Sequence, residues 1–222
     1  MKIKNLIQKY KHAWVLLYAF IYMPWFLYLE KHVTTDFHVI ETSLDDKIPF
    51  IEYFIIPYLL WFAFIAVTIG YFFFTDKAGY YKLTAFLFTG MTIFLIVSTV
   101  YPNGQTLRPV TFARDNIFVD LVKTLYKTDT PTNVLPSIHV FNSIGAYIAI
   151  SHSEKLHSKK WVRYGAFVLT VLIILATMFL KQHSVIDVIT AGIMAIVMYQ
   201  VIYAAELKKE TSPSKRIVRK RA

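Results

Sequence analysis

Six stretches of about 17 to 27 residues, each almost free of charge, occupy most of this 222-residue chain. A bilayer-spanning helix needs about 20 mostly apolar residues, and in hydrocarbon only a helix or a closed barrel satisfies its own backbone polar groups. The stretches lie at about 13–29, 48–74, 83–100, 135–151, 164–180 and 184–205. With 56% of residues hydrophobic and 17% charged, the chain is too apolar for an ordinary soluble domain. The expected fold is all-α: a single bundle of six transmembrane helices over 1–222, ending in a basic tail at 206–222. The first stretch follows a lysine-rich leader, but its bulky aromatics and lack of a small-residue cleavage site make it a retained helix rather than a signal peptide.

With six helices the loops alternate sides, and the basic residues separate accordingly. Seventeen of the 24 Lys and Arg fall in the N-terminus, the loops 75–82 and 152–163, and the tail. Cytoplasmic loops collect Lys and Arg, so both termini are expected inside, and the loops 30–47, 101–134 and 181–183 outside, on a plasma-membrane protein. The net charge of +10 then reads as a topology signal that touches anionic lipid, not as a nucleic-acid footprint. No cysteine is present, which excludes disulfides and thiolate chemistry. Trp14, Trp25, Tyr28, Tyr101 and Trp161 sit near helix ends, where amphipathic rings match the headgroup level. Pro24 and Pro57, inside apolar stretches, are expected to kink their helices.

The loop 101–134 is longer than most connections in a compact domain. Within it Ile117, Leu121 and Leu125 recur every four residues behind Asp115, a possible cap, which predicts a short amphipathic helix on the outer surface.

Ionisable groups next to apolar runs cost energy unless they lie near helix ends or line a polar cavity. Arg108, His139, His183 and Asp187 all map to the outward face. Pro136-Ser137-Ile138-His139 opens a helix, with proline suited to the first helical position, so its free N–H groups and the Ser137 hydroxyl make an anion site. Arg108 would close on phosphate oxygens with a two-pronged hydrogen bond. His183 and Asp187, four apart, share a helical face, so the carboxylate can orient the imidazole. One histidine held neutral can attack phosphorus while a second, protonated, serves the leaving oxygen. Each element alone is commonplace, as capping or as an interfacial pair; their joint appearance on one face carries the reading. Metal ligation by His139, His183 and Asp187 is the competing use, but a hard metal would want more carboxylates, so no metal or cofactor is expected.

The order Arg108-Pro109, Pro136-Ser137-Ile138-His139, then His183 with Asp187 resembles the type 2 phosphatidic acid phosphatase superfamily. The resemblance implies six transmembrane helices, a phosphohistidine on His183, Asp187 as its orienter, His139 as proton donor, and Arg108 and Ser137 as phosphate binders. Two family cations are absent: the lysine seven before Arg-Pro falls on Tyr101, and the Ser-Arg pair before the histidine falls on Ala176-Thr177. Lys181, one turn beyond Thr177, is the expected substitute. The altered signatures, with Asp46-Lys47-Ile48-Pro49-Phe50, look more like the inositol-phosphorylceramide and sphingomyelin synthase branch. The expected activity is therefore metal-independent hydrolysis of a membrane lipid phosphate or pyrophosphate. Headgroup phosphotransfer is the alternative, and a non-catalytic lipid-phosphate binder or transport-related protein is a third.

Overall fold

The computed structural model describes residues 2–204, so the basic tail at 206–222 lies outside the described residues. Eight α-helices run in chain order: α1 (Lys2–Lys9), α2 (Ala19–His32), α3 (Ile55–Thr75), α4 (Lys77–Val100), α5 (Ile117–Thr128), α6 (Ile138–His152), α7 (Lys160–Phe179) and α8 (Val185–Tyr199). A 3₁₀ segment, Lys11–Tyr18, leads into α2, and α8 ends in a π turn, Gln200–Ala204. Among the described residues five helical spans are long and apolar enough to cross a membrane: Lys11–His32, Glu52–Thr75, Lys77–Val100, Lys160–Phe179 and Val185–Ala204. Large apolar side chains such as Phe20, Phe62, Val67, Phe74, Ile193 and Ile196 are exposed along them, as a lipid-facing surface requires.

The fourth expected span differs from the rest. It is α6, only 15 residues long, or about 22 Å at the α-helical rise. It packs against α3, α4, α7 and α8 and buries His139, Val140, Phe141, Asn142, Ser143, Gly145, Ala146, Ala149 and Ile150. Enclosed by protein, α6 keeps Asn142 and Ser143 away from lipid, and the Ser143 hydroxyl is satisfied within the helix, donating to the His139 carbonyl at 2.6 Å. Close approach of α4 to α6 depends on glycine. A Cβ on Gly90 would stand 2.0 Å from Cε1 of Phe141, and one on Gly145 would stand 2.6 Å from Cδ1 of Phe86. The two phenylalanines stack between the helices with centroids 4.6 Å apart.

Pro24 lies within α2, as expected. Pro57 does not interrupt its helix: α3 begins at Ile55, so Pro57 falls in the first turn, where the missing N–H has no intrahelical acceptor to lose. The long loop folds as the sequence suggests, with two differences. Asn116 rather than Asp115 caps α5, its Oδ1 accepting from Phe118 N and Val119 N at 3.0 Å each. The buried stripe runs through Val119 and Val122, flanked by partly buried Phe118, Leu125 and Tyr126, while Ile117 and Leu121 point outward. The apolar arc is wider than the core needs, and the 117/121/125 row is only its edge. Buried Glu52 holds the start of α5, accepting from Arg114 Nη1 at 3.0 Å and Asn116 Nδ2 at 3.1 Å.

The rest of the loop is pinned by short pairings. β1 (His38–Val39) runs parallel to β2 (Asn103–Gly104), and Gly104 bridges Thr132. Asn103 is fully buried, and its Oδ1 accepts from Val134 N and Leu135 N at 2.9 Å each, which fixes the approach to α6.

Candidate active site

His139 and His183 meet at the end of the bundle where α6 and α8 begin, their ring centroids 5.7 Å apart. Both are nearly buried and both line one small cavity of about 40 Å³, shared with Glu30, Asp129, Thr130, Asn133 and Gln182. The cavity is partly open but small, so its walls must shift to admit a phosphate.

His183 does not lie on a helix. It follows the turn that ends α7, where Lys181 adopts φ 53° and the N–H groups of Lys181 and Gln182 bond back to Met178 O at 3.0 Å and Thr177 O at 2.9 Å. This is the left-handed cap that glycine usually supplies. Ser184 then caps α8, and Asp187 sits at its third position in a capping box. Asp187 Oδ2 accepts from Ser184 N at 2.9 Å and from His183 Nδ1 at 3.3 Å. The expected pair therefore forms, through the reciprocal cap rather than through a shared helical face. With Nδ1 committed to the carboxylate, the other imidazole nitrogen carries the lone pair.

Asp45 completes this helix start, and sequence reasoning passed over it. Its buried carboxylate accepts from Thr42 N at 2.8 Å, Ser184 Oγ at 2.7 Å and Val185 N at 2.9 Å. The available signal was an acidic pair, Asp45-Asp46, just ahead of a span, but only its distant partners show what it does. Lys181 Nζ donates to the Asp45 carbonyl at 2.6 Å and does not line the cavity.

Ser137 is the N-cap of α6, fully buried, its Oγ accepting from Val140 N at 3.4 Å. Pro136 thus stands before the cap instead of at the first helical position. His139 packs between Tyr58 and Trp61, with ring centroids 4.7 and 4.3 Å away, and its Nδ1 has no partner among the described residues.

Arg108 stands behind the cavity. Its Nη1 donates to Tyr126 O at 3.2 Å and Asp129 O at 2.7 Å, and its Nη2 to Thr130 O at 3.0 Å and Gln182 Oε1 at 2.5 Å. The guanidinium therefore caps the last turn of α5, where carbonyls and dipole favour a cation, and it lies over the Tyr126 ring at 4.6 Å. Burial lowers its pKa from the ordinary arginine value, against the pull of Asp129, and burial likewise raises the Tyr126 phenol, against Arg108. Glu30, from α2, closes the cavity's other side: Oε2 accepts from Thr130 Oγ1 at 2.6 Å and Oε1 from Asn133 Nδ2 at 2.9 Å. Tyr58 donates to Asp129 Oδ2 at 3.0 Å. Among the described residues no group of three or more His, Asp and Glu side chains could hold a metal ion.

Residues 103–210 match the family model of the PAP2 superfamily. Over that stretch the chain is similar to the PAP2 superfamily. The match takes in Arg108, the Ser137–His139 helix start, His183 and Asp187, and it sets the chain among proteins that cleave or transfer phosphate esters. Helices α1 to α4 precede the PAP2 match and contribute Glu30, Tyr58 and Trp61 to the surroundings of the histidines. No curated protein and no solved structure matches the chain significantly.

Proposed function

We propose that this protein cleaves the phosphate ester of a membrane lipid without a metal, through a phosphohistidine on His183. The observation that carries the proposal is the pairing of His183, oriented by Asp187 at 3.3 Å, with His139 in one cavity at the end of an apolar bundle. In the first step the free imidazole nitrogen of His183 attacks phosphorus, and the bond from phosphorus to the lipid oxygen breaks. That oxygen takes a proton from His139, while Asp187 stabilises the positive charge that develops on His183. In the second step water attacks the phosphohistidine, gives its proton to His139, and the P–N bond breaks to restore both residues. Arg108 and Ser137 act on phosphate oxygens once the cavity walls shift, Arg108 by exchanging carbonyls of the 126–130 segment for the ligand.

The test offers phosphatidate, lysophosphatidate and polyprenyl pyrophosphate to purified protein in chelator. Phosphate release by wild type and none by His183→Ala is expected. Equal release by both, or none from any substrate, removes the hydrolase. Headgroup transfer is a second reading, favoured by the neutral residues Tyr101 and Thr177 where the resemblance calls for cations. It requires labelled headgroup to appear on an added alcohol; free phosphate alone across a wide acceptor panel rejects it.

The site is proposed to face outward from the cell membrane, on the charge asymmetry of the loops. An impermeant thiol reagent should label Asp115→Cys in intact cells and spare Ser158→Cys. The opposite pattern turns the site to the cytoplasm.

A further inference from the structure

We infer that the groove between α6 and α7, at the end of the bundle away from the histidines, is a binding site for one anionic phospholipid of that leaflet, its phosphate held by Lys160 and Arg163. This lipid is not the substrate, so the inference stands apart from the reaction proposed above.

The first two turns of α7 build the site. Lys160, Arg163, Tyr164 and Phe167 follow the helical repeat, so all four share one face. Tyr147 of α6 packs against Phe167 across the gap, with ring centroids 5.5 Å apart. These five side chains line a groove of about 290 Å³, roughly ten times one water's share of liquid, which leaves room for a phosphate and its glycerol.

The positive charge in this groove is uncompensated. No carboxylate lines it, and α7 contains no Asp or Glu from Lys160 to Phe179. Neither the Lys160 ammonium nor the half-buried Arg163 guanidinium has a hydrogen-bond or ion-pair partner among the described residues. Lys155 of the preceding loop, by contrast, donates to the Thr75 carbonyl. An anion between Lys160 and Arg163 satisfies the donors of both and offsets their mutual repulsion, and a guanidinium takes phosphate oxygens in pairs.

The setting of the groove selects what carries the anion. Helix α7 is apolar enough to cross a membrane, and its exposed rings, Trp161 at 77% and Tyr164 at 69%, suit the headgroup level. Further in on the same face, Phe167 and, one turn on, Val171 are exposed. A phosphate at Lys160 and Arg163 therefore has apolar side chains directly beneath it, against which an acyl chain lies. A loop that only sets topology needs the positive charges but no aromatic-walled groove beneath them.

The experiment titrates full-length protein in neutral detergent micelles with phosphatidylglycerol or with phosphatidylcholine of the same chains, and counts bound lipid by native mass spectrometry. A hydrogen bond between charged groups corresponds to roughly 10- to 100-fold in affinity, so the first phosphatidylglycerol should bind wild type at least ~10-fold more tightly than Lys160→Gln/Arg163→Gln. Wild type should hold phosphatidylcholine several-fold more weakly, because the two cations repel its ammonium. Lys215→Gln/Arg216→Gln removes the same charge from the basic tail and should change the affinity by less than ~3-fold, the size of a diffuse surface effect. Glycerol phosphate in ~100-fold excess should not displace the lipid, whose chains supply the rest of the affinity. Melting temperatures confirm that each variant is folded without lipid, and Arg163→Gln alone replaces the double variant if the latter is not. Equal binding of the two lipids, equal losses in the groove and tail variants, or displacement by glycerol phosphate, which would make this a site for free phosphate, overturns the inference.

Discussion

Asp45→Ala is expected to destabilise the protein sharply although Asp45 lies far in sequence from the helix start it supports. The carboxylate accepts three hydrogen bonds, two of them from the first residues of the α8 start, Ser184 Oγ at 2.7 Å and Val185 N at 2.9 Å. Ser184 is fully buried, so neither water nor a neighbour replaces the lost acceptor there. Leaving two such donors bare costs about 1–2 kcal/mol each, and losing a negative charge beside a helix N-terminus adds a few tenths, for a total of about 3 kcal/mol. For a chain of this size each kcal/mol lowers the melting temperature by about 2–4 °C, which predicts a fall of about 6–12 °C. Asp45→Asn retains one acceptor and should show about half the loss. Thermal unfolding in detergent measures both, and hydrogen exchange at Val185 should accelerate in parallel. A melting temperature within about 2 °C of wild type for Asp45→Ala, with Val185 exchange unchanged, refutes the reasoning.

Other substitutions separate backbone from side-chain effects. Lys181→Gly relieves the positive φ while Lys181→Met does not, and both lose the bond to Asp45, so the glycine variant should be more stable than the methionine variant by about 1 kcal/mol in denaturant titration. Gly90→Ala places a methyl 2.0 Å from a Phe141 ring carbon and should lower stability by about 1–3 kcal/mol, with partial recovery in Gly90→Ala/Phe141→Leu; an unchanged melt for the single variant contradicts the packing described. Arg108→Lys keeps the charge but cannot reach Tyr126, Asp129, Thr130 and Gln182 together, so it should melt lower than wild type and lose at least ~10-fold in kcat/KM, with no recovery at high lysine protonation.

Five of the six spans and the meeting of His139, His183 and Asp187 were legible because each follows from local pattern: length and apolarity for the helices, residue type and order for the side chains. Contacts that close over long sequence distances were not. Asp45 reaches Ser184 across 139 positions, Asn103 reaches Leu135 across 32, and Glu30 reaches Asn133 across 103. The face of α5 was misjudged for a related reason: a helix apolar on two sides does not reveal which side meets protein. Lys181 attracted attention by charge and spacing along a helix, but the chain leaves α-helical geometry at Leu180, so the spacing no longer sets where the ammonium points. Gln182, being neutral, gave no such signal.

The length of α6 has a consequence for how a lipid is reached. At about 22 Å it is shorter than a hydrocarbon layer of about 30 Å, so its two ends cannot both stand at the membrane surfaces. The His152 end runs straight into Glu154, Lys155, His157 and Lys159, which belong in water, so the shortfall falls at the end that holds His139. With α6 placed across a bilayer in this way, the cavity would be recessed below the headgroup plane. A lipid can present its phosphate by a sideways step and a small descent, keeping its chains in hydrocarbon and avoiding the roughly 0.8 kcal/mol per methylene that extraction into water would cost.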